Sequence, residues 1–196
     1  MLGLRFTLCV LIVLGVGAAE PRVLFLSHDG LGADQLTPRT TPHLWKLAAK
    51  GWRGSSVPPH PSTTFNGHAT LATGCHPQQH GIVANSFVDP VLGYVSHAGR
   101  AEHLEREPLW VAATRSGVRT AVYHWVCGEA PWRGQAAWRQ EPFRSGAGDR
   151  EAMAFCDQAL TDGARLVMAY FPGTDEVGHV HGPGSRAHLA RLRAID

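Results

Sequence analysis

Two kinds of apolar pattern alternate along the chain. The first is a short unbroken apolar run closed by a turn or a small residue: PRVLFLSHDG (21–30), VRTAVYHW (118–125) and ARLVMAYFPG (164–173). Runs of that length without polar alternation suit strands covered on both faces of a sheet. The second is a helical spacing with caps. TPHLWKLAAKG (41–51) has Thr40 or Thr41 as its capping hydroxyl, Pro42 in the first turn, Leu44, Leu47 and Ala48 as an apolar stripe, and Gly51 as a stop. EPLWVAATRSG (107–117), DREAMAFCDQALTDG (149–163) and SRAHLARLRAID (185–196) read the same way. HATLATG (68–74) begins a further helix ended by Gly74, and GIVANSFVDPVLGYVSH (81–97) alternates around Asp-Pro and Gly as a hairpin does. Strand and helix in alternation predict an α/β fold with a mainly parallel sheet flanked by helices. In such sheets chemistry gathers beyond the carboxyl ends of the strands. Three polar clusters fall there or in nearby loops: His28-Asp29-Gly30, the segment around Thr64, and GTDEVGHVHG (173–182).

The beginning of the chain breaks the alternation. Arg5 precedes an apolar run from Phe6 to Val16, and Gly17, Ala18 and Ala19 follow it. The run is short for a bilayer span, and small residues after it suit cleavage. Residues 1–19 are therefore expected to be a signal peptide, with 20–196 the N-terminal portion of a catalytic domain, secreted or periplasmic and with no stable membrane anchor after cleavage. A membrane anchor or a buried strand is the alternative for this stretch. The mature chain keeps Cys75, Cys127 and Cys156, an odd set that admits at most one internal bridge. Net charge is +2, and acids and bases are spread evenly, so nothing points to a nucleic-acid polymer. Histidine stands out, with 12 copies, several beside Asp or Gly, which favours metal binding or proton transfer.

In TDEVGHVHG (174–182), Asp175 and His179 are four apart and share a face on a helical turn, whereas His181 points elsewhere. Asp and neutral His are ordinary zinc ligands. A solvated loop with Asp175 as a cap is the plainer reading. Asp29 closes a buried strand before Gly30, as a metal ligand or as an ordinary turn residue. PSTTFNGHATLATG (61–74) places five hydroxyls in fourteen residues. A threonine hydroxyl is a weak nucleophile until it loses its proton, and a divalent cation on the oxygen promotes that loss. The hydroxyls of PSTTF (61–65) could instead cap a helix starting near Asn66, and both roles are compatible, because a nucleophile at a helix N-terminus faces free N–H groups that favour a phosphate. Composition alone leaves Ser62, Thr63 and Thr64 as alternatives.

Four motifs in order carry a resemblance: VLFLSHDGLGADQL (23–36), TPHLWKLAAKG (41–51), PSTTFNGHATLATGCHPQQHGIVANSF (61–87) and YFPGTDEVGHVHGPGS (170–185). Together they resemble the type I phosphodiesterase/nucleotide pyrophosphatase family of the alkaline phosphatase superfamily. The resemblance implies Thr64 as nucleophile, with Asp29 binding the same metal ion, and Asp175 and His179 binding a second. It implies that Asn85 hydrogen-bonds a phosphoryl oxygen, that Phe65 packs against a substrate base, and that Tyr170 lies near the leaving-group pocket. The family often has Pro-Asn-His where this chain has Asn66-Gly67-His68, so Asn66 is given no catalytic role. Two Zn2+ ions are expected in the complete protein, although the same mixed ligands admit manganese or iron. The implied reaction is two-step phosphoryl transfer through a phosphothreonine on a small phosphodiester or nucleotide.

The same resemblance calls for an Asp-His pair and a further His downstream, and the chain reaches Asp196 without an Asp-His-Gly motif. A fragment or truncated gene product, with impaired zinc binding and little turnover, is the expectation. VYHWVCGEAP (122–131) loosely resembles the Trp-Pro-Gly-Ser stretch of diesterases, broken at Val126 and Cys127. An alkaline phosphomonoesterase is the first alternative, with Arg133 as the only nearby cation, and a truncated, inactive binding module is the second. A sulfatase is disfavoured because PSTTF lacks the Cys/Ser-x-Pro-x-Arg pattern.

Overall fold

The computed structural model describes residues 8–14, 20–97 and 100–196. Its strands are β1 (Leu8–Leu14), β2 (Arg22–His28), β3 (Ser86–Asp89), β4 (Gly93–Ser96), β5 (Thr120–Tyr123), β6 (Arg139–Glu141) and β7 (Leu166–Phe171). The helices are α1 (Pro42–Ala49), α2 (Thr64–Thr73), α3 (Pro77–His80), α4 (Leu109–Arg115), α5 (Asp149–Thr161), α6 (Gly173–His181) and α7 (Arg186–Ile195). Five strands form one sheet in the order β1-β2-β7-β5-β6, and β3 and β4 make a separate antiparallel hairpin. Every pairing from β2 to β6 is parallel, while β1 joins β2 antiparallel, with Leu8 opposite His28.

The unbroken apolar runs are the central strands, as expected. Along β7, Leu166, Met168 and Tyr170 join the core beneath α2 and α4, with Trp110, Val122 and Trp125. Val167, Ala169 and Phe171 join the opposite core against α5, with Phe155, Cys156 and Ala159. The two-residue period of a strand thus sends alternate side chains into two separate cores. It also decides what reaches the candidate site: Ser27 and Tyr170 point to the α2 face, whereas His28 stacks on Phe171 across the sheet, with ring centroids 4.7 Å apart.

Several local expectations change. The apolar stripe of α1 is not core: none of its residues is buried, and Leu47 is 42% exposed. Thr41 takes the N-cap position without a side-chain capping bond. The cap comes instead from α7's end, where the Asp196 carboxylate accepts the backbone N–H groups of His43 and Leu44 at 2.8 and 2.9 Å. The strand β6 carries no apolar signal, being three polar, half-buried residues on the sheet edge. Within the apolar stretch at the start of the chain, Leu8–Leu14 is paired with β2, while Arg5, Phe6 and the Gly17-Ala18-Ala19 cleavage signal lie outside the described residues. Among the described residues no helix is long and apolar enough to cross a membrane, and Cys75, Cys127 and Cys156 form no disulfide.

Candidate functional site

The site is built where β2 and β7 end. Asp29 follows β2 directly, and its N–H bonds the Phe171 carbonyl at 3.0 Å. Its Oδ1 accepts the Gly30 N–H at 3.1 Å, closing the Asp-Gly turn. Its Oδ2 accepts the Thr64 hydroxyl at 3.1 Å and the Tyr170 hydroxyl at 2.9 Å. Asp29 therefore closes the turn through one oxygen and holds the Thr64 and Tyr170 hydroxyls with the other. Burial first, then the Asp29 charge, push the Tyr170 phenol well above its ordinary range, so it stays a donor.

Thr64 is the first residue of α2, two positions ahead of the start expected near Asn66 and four ahead of His68, and Thr63 takes the N-cap position without a side-chain capping bond. The preceding turn is held by side chains. Thr63 donates its hydroxyl to Asn66 Oδ1 at 2.8 Å, and Asn66 Nδ2 donates to the Pro61 carbonyl at 2.6 Å. Asn66 is fully buried in this bracing role. His68, to which the sequence alone assigned no role, holds Thr64 from behind. Its Nδ1 lies 2.7 Å from the Thr64 carbonyl and its Nε2 lies 2.8 Å from Ser27 Oγ. The carbonyl accepts only, so Nδ1 carries the proton and Nε2 accepts from Ser27. His68 thus ties the first turn of α2 to β2. The signal for it was a His one turn after the candidate nucleophile, on the buried face of the helix.

Asn85 completes this side. The Phe65 N–H donates to Asn85 Oδ1 at 3.0 Å, which leaves the amide nitrogen as the group able to donate into the cavity. On the other side, α6 places Asp175 and His179 one turn apart, with Nε2 3.2 Å from Asp175 Oδ2. His179 and His181 are both exposed, but only His179 borders the cavity with Asp175. Thr174, in the first turn of α6, donates its hydroxyl to the Asp29 carbonyl. Asp29, Thr64, Asn85, Asp175 and His179 then line one cavity of about 380 Å³. A second cavity of about 240 Å³ adjoins it, walled by Thr64, Phe65, Trp125, Phe143 and Tyr170. All seven residues singled out from the sequence thus border these two cavities, and Thr64 borders both.

Two carboxylates, a hydroxyl and an imidazole facing one cavity are oxygen and nitrogen donors of the kind zinc accepts. They fit a metal centre as part of its ligand shell. Among the described residues no three His, Cys, Asp or Glu side chains gather around one point. Cys127 occupies a position where the Trp-Pro-Gly-Ser pattern has Gly, and its φ of +62° is the left-handed conformation a glycine adopts.

A mainly parallel sheet flanked by helices, with these residues beyond its strand ends, defines an α/β protein whose candidate site lies at the carboxyl ends of the strands. The model of the type I phosphodiesterase/nucleotide pyrophosphatase family matches residues 23–196, and the chain belongs to that family. It is 34% identical over 194 residues to an uncharacterized pyrophosphatase/phosphodiesterase of Schizosaccharomyces pombe, covering 93% of this chain and 40% of that protein. Against ectonucleotide pyrophosphatase/phosphodiesterase family member 3 of Rattus norvegicus the identity is 26%, covering 92% of this chain and 22% of the relative. The chain thus spans less than half the length of these relatives. The fold matches that of murine ectonucleotide pyrophosphatase/phosphodiesterase 5 with a TM-score of 0.78 at 24% identity, over 88% of this chain and 48% of that one. An inactive form of that murine protein has been solved in complex with AMP.

Proposed function

We propose that this chain carries the nucleophile-bearing part of a hydrolase of phosphodiester or pyrophosphate bonds, with a nucleotide or similar small phosphodiester as substrate. The observation that carries the reading is Thr64, at the N-terminus of α2, with its hydroxyl on Asp29 and its cavity shared with Asn85, Asp175 and His179. The free N–H groups of the first turn of α2 favour a phosphate there.

In the proposed reaction Thr64 Oγ1 forms a bond to phosphorus as the bond from phosphorus to the departing oxygen breaks. The hydroxyl proton leaves along its hydrogen bond to Asp29 Oδ2. Asn85 Nδ2 donates to a phosphoryl oxygen, where charge accumulates in the transition state. Water then cleaves the phosphothreonine, releasing a phosphomonoester and restoring the hydroxyl. Asp29 and Thr64 would hold one metal ion, and Asp175 and His179 a second; zinc is the ion proposed. Bound there, a divalent cation lowers the pKa of a coordinated hydroxyl and neutralises charge on the phosphoryl group. The AMP complex of the murine neighbour supports a nucleotide as substrate. Phe65, a wall of the smaller cavity, is the residue proposed to pack against the base, and Tyr170 lies in the same wall.

A monoesterase is less well supported. Its candidate cation, Arg133, stacks over the Trp132 ring, 4.6 Å from the centroid, and borders neither cavity. The decisive variant is Thr64→Ala in the complete, zinc-loaded protein. Hydrolysis of a nitrophenyl phosphodiester should fall at least about a thousandfold, as losses of a nucleophile do. Acid quenching of the wild type should trap on Thr64 the substrate's phosphoryl group, still esterified to the alcohol that has not departed, detectable by mass spectrometry. Undiminished turnover in the variant would remove the nucleophile assignment.

A further inference from the structure

The smaller cavity contains a polar group that the proposed reaction leaves unused. His124 follows β5 at the carboxyl edge of the sheet and lines the cavity with Thr64, Phe65 and Tyr170. It is 3% exposed, and its Nε2 has no hydrogen-bond partner among the described residues. A buried polar atom without a partner is rare in a folded protein and calls for an explanation. The residue is also held in an unfavourable conformation, with φ of +54°. Side chains other than glycine visit that region seldom, and such outliers collect at ligand sites.

The ring is pinned rather than loose. Its backbone N–H bonds the Glu141 carbonyl of β6 at 2.9 Å, and it stacks on Tyr123 with centroids 3.8 Å apart. Phe143 meets it edge-on at 5.3 Å from the loop after β6. Phe143 is 44% exposed, so it is the part of this wall best able to yield to an incoming ring. Around His124 the wall is built largely from Phe65, Trp125, Val126, Phe143 and Tyr170, which offer surface for stacking. A pocket of this kind, largely apolar with few placed polar groups, uses those groups to set specificity.

We propose that His124 is a specificity-determining residue: its Nε2 hydrogen-bonds the edge of a heterocyclic ring lodged in the aromatic cavity, and so selects a nucleobase over a plain phenyl group. The inference rests on the nucleotide reading above. The test uses the full chain with two probes, AMP and phenyl phosphate, followed by NMR of the histidine ring nitrogens. AMP should shift the Nε2 resonance of His124, and phenyl phosphate should leave it in place. His124→Phe should weaken AMP about tenfold or more while keeping phenyl phosphate within about twofold, in line with the loss of one buried hydrogen bond. His124→Asn tolerates positive φ and keeps a polar group, so it should retain part of the AMP preference and serves as a second variant if the phenylalanine form does not fold. Unchanged AMP affinity in His124→Phe, or equal loss of both probes, would overturn the proposal and leave His124 a structural residue. Failure of AMP to bind the wild type while phenyl phosphate binds would instead strike the nucleotide reading, and the inference with it.

Discussion

Gly30 sets how closely the two halves of the site approach. Its φ is +73°, and a Cβ built there would lie 2.7 Å from Asp175 Cα and 2.9 Å from Asp175 N. Backbone atoms cannot swing aside as a flexible side chain does. Gly30→Ala must therefore strain the left-handed turn and also push α6 away from the end of β2. The two effects together should cost roughly 2–4 kcal/mol. Zinc affinity at the proposed Asp29–Thr64 site should fall as well, because straining the Gly30 turn shifts the Asp29 carboxylate relative to Thr64. Urea denaturation and a zinc titration of the variant measure these effects, and an unchanged urea midpoint would refute the argument. From sequence, Asp-Gly could be read as a turn or as a site, and each reading had a physical basis. The carboxylate has two oxygens, and the turn occupies only Oδ1. The close approach of Gly30 to α6 was not legible, because it joins segments about 145 residues apart.

At the scale of elements, α2 shows what pattern reading can and cannot reach. Gly74 as its stop was legible, and it caps the helix at φ +67°. The start was not, because the first turn holds Thr64, Phe65 and Asn66, whose places are set by partners outside the helix. The long strands β2 and β7 were read with their limits nearly right, since burial on both faces demands an unbroken apolar run. The edge strand β6 follows no such demand, and α1 carries an apolar stripe that stays at the surface. His68 links these levels: it is the side chain that fastens α2 to β2. His68→Leu removes both bonds at a fully buried position and should destabilise the fold by roughly 1–3 kcal/mol. Turnover of the complete protein should fall further than stability explains, because Thr64 loses the contact that fixes its carbonyl. A thermal melt read beside the rate at a temperature where the variant is folded separates the two effects. A variant with wild-type stability and rate would show that the clamp carries nothing.

Across the whole molecule, buried neutral histidines tie stability to pH. His80 is fully buried, accepts the Ile82 N–H on Nδ1 at 3.1 Å and places Nε2 3.0 Å from Thr70 Oγ1. A protonated ring has no acceptor for the Ile82 N–H, so the fold requires the neutral form. Burial chiefly lowers the His80 pKa from 6.5 to about 4; its backbone hydrogen bond opposes this, and the neighbouring His76 lowers it further. His124 is lowered to about 4 as well, by burial first and Arg144 next, with Glu151 opposing. In the unfolded chain both rings regain an ordinary pKa near 6.5. Above that value neither state binds the proton, and the full stability is present. Between about 6.5 and 4 the unfolded chain takes up protons that the fold refuses, so stability falls as pH falls. A tenfold difference in proton affinity between the two states corresponds to about 1.4 kcal/mol, so the combined loss is large against the marginal stability of a domain this size. Denaturation midpoints measured at about pH 7.5, 6, 5 and 4 should decline most steeply below about 6. His80→Gln keeps an acceptor and a donor while removing the titration, and it should flatten the decline. A midpoint that holds steady from neutral pH down to about 4 would mean that these rings accept protons inside the fold, against the hydrogen bonds that surround His80.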